Sequence, residues 1–245
     1  MSKANDAGRI RVGIIGASPG TSWAAATHLP ILKALPGYEL TAVSTTKQAT
    51  ADEAARVFSV PHAFDNAQAL VQHPDVDVVV VSVRTPEHDR LVRLALGARK
   101  HVICEWPLGV SLEQATALHA LAASTGVRTA IGLQRRLAPG IRYLRDLLAE
   151  GYIGKVRSVR VHASAPQLGE HLNASAAYTA DAANGANTLT IFTAHYLDTI
   201  LAAVGDLRDV SAVVTRQFDQ ATIIETGQMI PVTAPDQVLL SGTLA

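Results

Sequence analysis

The stretch RIRVGIIGASPGTSW, residues 9–23, decides the fold. A short run of β-branched residues ends at Gly16, and residues 21–35 then carry Ala, Leu and Ile at helical spacing. Either Thr21 or Ser22 could begin this helix as its N-cap. A strand, a glycine turn and a helix in this order form the first half of a βαβ unit.

Strand-like and helix-like segments continue to alternate up to residue 131. The predicted strands are 9–16, 38–45, 76–83, 100–106 and 127–134, and the predicted helices are 21–35, 50–60, 63–73, 86–99 and 111–126. The apolar run 76–83 is typical of a central parallel strand that is covered on both faces. The alternation predicts an α/β fold, a Rossmann-type doubly wound parallel sheet with right-handed crossovers, over residues 1–134.

A second domain is predicted over residues 135–245, because the alternation stops after Pro139. The pattern there predicts a helix at 139–154, a half-exposed antiparallel strand at 155–164, a long loop at 165–186, a helix at 187–205 that ends at Gly205, and strands at 207–217 and 236–245. These elements indicate an α+β domain with an antiparallel sheet. The last strand-like run reaches Ala245, so we expect either a small sheet or a truncated one.

Composition excludes several classes of protein. The 245 residues are 48% hydrophobic and 17% charged, with a formal net charge of zero and no basic stripe, which argues against direct binding of nucleic acid. The longest apolar run, 76–83, contains Asp77 and is too short to span a bilayer. Cys104 is the only cysteine, which suits a reducing cytoplasm. We therefore expect a cytoplasmic protein without a membrane segment.

The turn after the first predicted strand indicates a dinucleotide site. Gly16 stands where such a site needs a tight turn and a close approach of backbone N–H groups to the pyrophosphate. Ser18 occupies the position of the second fingerprint glycine, and Gly20 comes one residue later than the third. We predict that Gly16, Ala17 and Ser18 bind the cofactor. A plain strand-to-helix turn is the alternative.

The end of the second predicted strand bears on the choice of cofactor. An NAD site usually has an acidic residue there to bind the ribose 2′-hydroxyl, but this chain has Ser44, Thr45 and Lys47. Hydroxyls and a cation suit a 2′-phosphate better, so the residues favour NADP over NAD. A solvated loop is the alternative.

Several segments resemble the glucose–fructose oxidoreductase/inositol dehydrogenase (Gfo/Idh/MocA) family. They are 13–32, 78–96, 100–118 and 133–159, and the resemblance extends over roughly residues 10–217. Trp23, the Thr27-His28-x-Pro30 run and the Glu105–Trp106 pair are similar to the branch that includes the yeast galactose-pathway repressor. The resemblance implies a Rossmann domain followed by a substrate domain with an open sheet that is often a dimer surface. We therefore expect a homo-oligomer, and, since family members are usually longer, a truncated second domain.

The resemblance also implies roles for individual residues. Glu105, Trp106 and Pro107 match the family's Glu-Lys-Pro motif at the nicotinamide, with Trp106 in place of the lysine that assists proton transfer. His195 matches the histidine of a second motif whose aspartate falls on Ile191. His195 is then a candidate catalytic base, and a core or capping histidine is the alternative.

Further cofactor contacts are implied at other positions. They are Arg84, Thr85, Pro86 and His88, which follow the predicted strand 76–83, and Gln134 at the end of the domain. Trp23 is a further candidate, which could either stack on the cofactor or plug the helix start. The nine histidines show no pair or triad at metal-ligand spacing, so no metal is expected.

Two functions follow from this resemblance. One is an NAD(P)-dependent oxidoreductase with an altered catalytic site that acts on a sugar-like or polyol substrate. The other is a non-catalytic dinucleotide-binding regulatory protein similar to the yeast galactose repressor. The replacement of the motif lysine and aspartate favours the second function, and the prevalence of enzymes in the family favours the first.

Overall fold

A computed structural model describes residues 8–20, 22–164 and 169–245 of the chain. Contacts within these residues divide at Gly132 and Leu133 into two units. The domain boundary predicted at residue 134 lies close to this division.

The first unit alternates strands with helices. Its strands are β1 (Ile10–Ile15), β2 (Tyr38–Ser44), β3 (His62–Phe64), β4 (Val78–Val81), β5 (His101–Glu105) and β6 (Thr129–Gly132). Its helices are α1 (Trp23–Ala26), α2 (His28–Ala34), α3 (Gln48–Phe58), α4 (Ala67–Gln72), α5 (His88–Gly97) and α6 (Leu112–Thr125), with a 3-10 turn at Thr85–Glu87 before α5.

These strands form one sheet in the order β3-β2-β1-β4-β5-β6, and all neighbours run parallel. This is the strand order of the doubly wound dinucleotide-binding fold, so the predicted fold class is confirmed. The order reverses between β1 and β4, and ligands of such sheets bind outside the carboxyl ends of the strands at this point.

Two apolar cores cover the two faces of the sheet. Successive residues of β4 alternate between them: Val79 and Val81 pack with α4, α5 and α6, whereas Val80 packs with α1, α2 and α3. Leu70, Leu96 and Leu118 anchor the first core and Leu29 the second, each at most 1% exposed. Each buried leucine stabilises the unit by about 1.5–3 kcal/mol, which fixes the sheet that carries the candidate site.

The predicted helix 21–35 is interrupted. The structure has α1 and α2 separated at Thr27, whose backbone (φ −126°, ψ −70°) leaves the helical region and whose hydroxyl donates to the carbonyl of Trp23 at 2.7 Å. Ser22 caps α1 by accepting from the N–H of Ala25 at 3.2 Å. Thr21, the other predicted cap, lies outside the described residues.

The predicted helix 63–73 is only partly correct. Its first residues belong to β3, which pairs with β2 through Ala42 and His62, and α4 begins only after the cap Asn66. Pairing along the open edge of β2 outweighs the helical pattern of these residues, because an edge strand offers unpaired backbone groups.

The second unit contains helices and small sheets. Its helices are α7 (Pro139–Ala149) and α8 (Ala194–Val204), with 3-10 turns at Gln134–Leu137, Ala174–Ala180 and Ala182–Asn184 and a π-helical turn at Thr188–Thr193. Its strands are β7 (His171–Leu172), β8 (Leu207–Thr215), β9 (Gln220–Ile223), β10 (Met229–Pro231) and β11 (Gln237–Leu244). β8 and β11 pair antiparallel, as predicted.

Some predictions for the second unit were wrong. Residues 155–164 form no strand and pair with no other described residue, although their sequence alternates. Alternation alone does not make a strand, because the backbone also needs a neighbouring edge to pair with. The hairpin of β9 and β10 was missed because its strands are short and Pro231 interrupts the pattern. Part of the predicted loop 165–186 forms β7 and the 3-10 turns; residues 165–168 lie outside the description.

None of the helices in the described ranges is long and apolar enough to cross a membrane.

Candidate functional site

Gly16 lies where the ends of β1 and β4 meet. It has a φ of +98°, and a Cβ atom at this position would lie 2.1 Å from the carbonyl oxygen of Ser82 and 2.7 Å from the side chain of Val83. Only glycine fits such a site, for both conformational and steric reasons. The turn therefore presents backbone rather than a side chain at the carboxyl edge, which fits a phosphate group bound through main-chain N–H groups.

The residues after Gly16 hold this turn. Ala17 is fully buried, and the hydroxyl of Ser22 donates to the carbonyl of Ser18 at 2.6 Å while it caps α1. Trp23, the first residue of α1, is 51% exposed. A plug at the helix start would be buried, so the exposure of Trp23 argues against that alternative, and its contact with a cofactor stays a prediction.

The end of β2 separates into a buried and an exposed part. Ser44 is 1% exposed, and its carbonyl accepts from the N–H of Gly16 at 2.9 Å, so this residue positions the glycine turn. Thr45 is half-buried and donates to the carbonyl of Lys47 at 2.9 Å, whereas Lys47 is exposed just before α3. Of the predicted ribose residues, Thr45 and Lys47 are accessible and Ser44 is not.

The loop after β4 contains the next four predicted residues. Arg84 and Pro86 are exposed, whereas Thr85 and His88 are buried at 3% and 1% exposure. The ring nitrogens of His88 lie 2.7 Å from the carbonyl oxygen of Pro107 and 3.0 Å from that of Val83. His88 therefore ties the loop after β4 to the loop after β5 and is a positioning residue.

Burial sets the charge of this histidine. It lowers the pKa of His88, and the two carbonyl contacts and the charge of Glu105 offset only part of that shift. The neutral ring carries one N–H and can donate to only one of the two carbonyls at a time.

Glu105 ends β5 and begins the predicted nicotinamide motif. Its carboxylate lies against Gly132 at the end of β6, where a Cβ atom would be 2.5 Å from Oε2 of Glu105. Trp106 is half-buried, Pro107 is buried, and the peptide bond between them is cis. The three residues form the start of the loop that faces the carboxyl edge of the sheet.

His28, at the start of α2, contacts Oε1 of Glu105 through Nε2. Both side chains are partly accessible, at 23% and 16% exposure. Sequence reasoning noted the Thr27-His28-x-Pro30 run but assigned His28 no role in the site. The signal that could have found it is that His28 follows the glycine turn within the same crossover and begins its second helical segment, α2.

His195 and Gln134 belong to the second unit. His195 is half-buried in the first turns of α8, and its carbonyl accepts from the hydroxyl of Thr199 at 2.7 Å. Gln134 is exposed in a 3-10 turn. Nearby in the chain, Arg136 forms an ion pair with Asp198, with Nε 2.9 Å from Oδ2.

This ion pair involves a carboxylate one turn after His195 on α8. Asp198 is only 10% exposed, and the guanidinium of Arg135 lies 4.7 Å from the centre of the Tyr196 ring on the same helix. These contacts fix the face of α8 that carries Asp198 against the turn before α7.

Comparison with known proteins gives two family matches. Residues 10–133 match the GFO_IDH_MocA model, described as an oxidoreductase family with an NAD-binding Rossmann fold. Residues 139–245 match the model of the Gal80p C-terminal domain.

Individual relatives agree with both matches. The chain is 31% identical to the dehydrogenase aclE of Aspergillus oryzae, over 89% of this chain and 61% of that protein. It is 28% identical to the galactose/lactose metabolism regulatory protein GAL80 of Saccharomyces cerevisiae, over 100% of this chain and 60% of that protein. The crystal structure of a super-repressor mutant of Gal80p from S. cerevisiae superposes with a TM-score of 0.89 at 27% identity, over 96% of this chain and 65% of that chain. The chain thus spans less than two thirds of the length of these relatives.

Proposed function

Because the chain belongs to the Gfo/Idh/MocA oxidoreductase family, we propose that it binds a nicotinamide dinucleotide at the carboxyl edge of the parallel sheet and oxidises a sugar-like or polyol alcohol. One observation supports this proposal most directly. Gly16 packs against the Ser82 carbonyl without room for a Cβ atom, at the point where the strand order of the sheet reverses.

Residues of the first unit would hold the cofactor. They are Gly16, Ala17 and Ser18 for the pyrophosphate, Trp23, Thr45, Lys47, Arg84, Thr85 and Pro86 along the rest of the dinucleotide, and Glu105, Trp106 and Pro107 at the nicotinamide. Ser44 and His88 would not touch the cofactor but position residues that do, Ser44 through its contact with Gly16 and His88 through its contact with Pro107. A bound nicotinamide supplies a hydride acceptor.

A side chain of the protein then has to accept the proton of the alcohol's hydroxyl group. The indole of Trp106 does not titrate in the useful range, so it cannot replace the lysine of the family motif. His195 remains the proposed base on the grounds of its motif position. His28 is a second titratable group, in contact with Glu105 of the nicotinamide motif.

We propose NADP rather than NAD as the preferred dinucleotide. Lys47 is exposed at the end of β2, and the segment Ser44–Lys47 contains no carboxylate to bind a ribose 2′-hydroxyl. A cation at this position favours a 2′-phosphate.

A regulatory function is the second candidate. Trp106 and Ile191 stand where the family's enzymes carry the lysine and aspartate of proton transfer, and residues 139–245 match the Gal80p C-terminal domain. On this proposal the protein binds the dinucleotide and reports its presence to a protein partner without turnover.

Assembly and location are also proposals. Val213 of β8 and Leu239 of β11 are paired on one face of this two-stranded sheet and are 58% and 68% exposed, which supports a homo-oligomer in which this face is covered. The single, buried Cys104 suits a reducing cytoplasm.

Cofactor titration followed by a turnover assay tests these proposals. Quenching of tryptophan or enhancement of NADPH fluorescence gives the Kd, and absorbance at the reduced nicotinamide band gives turnover on a panel of sugars and polyols. Turnover that is lost in His195→Ala and retained in Trp106→Phe supports the enzyme. Binding without turnover on any panel member supports the regulatory protein, and absence of dinucleotide binding contradicts both.

A further inference from the structure

The edge of the sheet opposite the glycine turn holds a second group of polar side chains. His62 begins β3, His73 follows the last residue of α4, and Asp75 precedes β4. Each offers one ligand atom, and these atoms all lie within 4.8 Å of one another. The rest of β3 and helix α4 lie between His62 and the other two residues in the chain, which is why spacing along the chain predicted no metal.

We propose that His62, His73 and Asp75 form a binding site for a divalent metal of the zinc type. Two imidazoles and one carboxylate are a ligand set that Zn²⁺ accepts, with water in the fourth position. The hard cations Mg²⁺ and Ca²⁺ prefer oxygen ligands alone, so they should bind less well.

The orientation of Asp75 supports this site. Its Oδ1 accepts from Nη1 of Arg11 at 2.8 Å, whereas its Oδ2 lies 3.6 Å from Nε2 of His62. One oxygen is thus held by an outer hydrogen bond and the other faces the histidines, which is how second-shell contacts orient a metal-binding carboxylate.

The two imidazoles lie close together. Their ring centres are 4.0 Å apart with an interplanar angle of 41°, and both side chains are only partly buried, so they can adjust towards the metal–nitrogen distances of about 2.0–2.1 Å in a zinc site. Nδ1 of His73 accepts from the N–H of Asp75 at 3.2 Å. Metal binding through either ring nitrogen of His73 gives up this hydrogen bond, because the bond requires Nδ1 as an acceptor and leaves the ring proton on Nε2. This cost weakens metal binding.

Two cations next to the site have compensating partners. Arg11 donates to Asp77 through Nε at 3.0 Å and Nη2 at 2.7 Å, and Lys100 donates to the carbonyls of His73 and Val76 at 3.1 and 2.6 Å. Arg11 is shared between Asp75 and Asp77, so one guanidinium faces two carboxylates and part of their negative charge remains to attract a metal.

A bound metal would fix β3 in place. β3 has three residues, pairs along β2 and is the edge strand of the sheet. A metal that joins His62 to His73 and Asp75 would link this strand to the connection between α4 and β4. Metal binding should therefore raise the melting temperature of the protein.

Isothermal titration of metal-depleted protein with ZnCl₂ tests the site. We expect one Zn²⁺ per chain, weaker binding of MgCl₂, and, with CoCl₂, visible absorption bands of a tetrahedral complex. His62→Ala and Asp75→Asn should each weaken zinc binding at least tenfold. His119→Ala, which changes an exposed histidine of α6, should leave the affinity unchanged.

Several results would overturn the proposal. They are unchanged zinc affinity in both His62→Ala and Asp75→Asn with retained circular dichroism, binding of Mg²⁺ as tight as that of Zn²⁺, and loss of affinity in His119→Ala. The proposal is independent of the proposed function, since the site lies at the amino ends of β3 and β4. We therefore expect the Kd for NADPH to be the same in His62→Ala and in the unmodified protein.

Discussion

Nε2 of His28 contacts Oε1 of Glu105, although 77 residues separate them along the chain. His28 opens α2 and Glu105 ends β5, so the contact links the helical segment after the glycine turn to the loop of the nicotinamide motif. With Gly132 packed against the other carboxylate oxygen, Glu105 is held from two sides. The histidine therefore positions Glu105, a residue of the Glu-Lys-Pro motif that this chain keeps although it has Trp106 in place of the lysine.

The first prediction concerns this contact. His28→Ala removes one partner of Glu105 and should raise the Kd for NADPH about three- to tenfold, which corresponds to the loss of one net hydrogen bond of about 1 kcal/mol. Fluorescence titration measures the change. His119→Ala is the matched control, because it removes an exposed histidine from α6. An unchanged Kd in His28→Ala would mean that Glu105 does not depend on His28 for its position.

Much of the fold could be predicted from the sequence. The centres of β1, β2, β4 and β5 were found because buried parallel strands carry continuous β-branched runs, which only a few other elements imitate. β3 and β10 were not predicted, because a strand of three residues is too short to show a hydrophobic periodicity. Such a strand forms only where a neighbouring strand offers backbone groups to pair with. Residues 155–164 show the converse: their sequence alternates, but none of the strands in the described part of the chain pairs with them.

The residues of the candidate site that belong to short contiguous motifs could be predicted from the sequence. The strand pattern indicates Gly16 and the family resemblance implies the Glu105–Pro107 motif, and both lie at ends of strands of one sheet, on its carboxyl edge. The roles of His28 and Ser44 depend on contacts across the fold, and so does the gathering of His62 and His73. No periodicity records such contacts, so these roles required the structure.

The second prediction compares two glycines with positive φ. Gly16→Ala forces a Cβ atom to 2.1 Å from the Ser82 carbonyl, whereas Gly20→Ala meets nothing within 4 Å. Gly20→Ala should cost only the backbone strain of about 1 kcal/mol. Gly16→Ala should cost at least about 3 kcal/mol and abolish dinucleotide binding. Urea denaturation and NADPH titration measure the two effects, and equal costs for the variants would contradict the packing argument.

The third prediction concerns the dinucleotide preference. Lys47→Glu replaces an exposed cation at the end of β2 with an anion and should raise the Kd for NADPH about tenfold or more, with little change for NADH. Lys33→Glu, on α2, makes the same charge change next to Phe58, which lies at the far end of α3 from Lys47. The Kd values of the Lys33→Glu variant for NADPH and NADH should be unchanged. A larger effect of Lys47→Glu on NADH than on NADPH would contradict the preference for NADP.

The fourth prediction concerns the single thiol. Burial, and then the charge of Glu105, raises the pKa of Cys104 far above its ordinary value, and the residue is 1% exposed. The thiolate is the reactive form, so the native protein should not react with a thiol reagent such as DTNB at pH 8, and protein in urea should react within minutes. Ser124→Cys adds an exposed thiol on α6 and should react at once. Rapid labelling of Cys104 in the folded protein would contradict its burial.

The fifth prediction concerns the pH dependence of stability. The pKa of His88 is lowered in the folded state, mainly by burial, so as the pH falls the unfolded chain takes up the proton first, near pH 6.5. The contribution of neutral His88 to stability is therefore fully present above about pH 6.5 and is lost as the pH falls towards the folded-state pKa. One such proton changes the free energy of unfolding by at most about 1.4 kcal/mol per pH unit.

His88→Gln tests this assignment, because glutamine keeps a donor and an acceptor but does not titrate. The variant should be less stable at pH 7 and should lose less of its unfolding free energy between pH 7 and pH 5 than the unmodified protein. A residual slope is expected, since burial also lowers the pKa of His73. His119→Gln should keep the full slope. If His88→Gln also keeps the full pH dependence of the unfolding free energy, the proton that governs acid stability binds at another residue. The ring of His88, in contact with the carbonyls of Pro107 and Val83, would then not change its charge between pH 7 and pH 5.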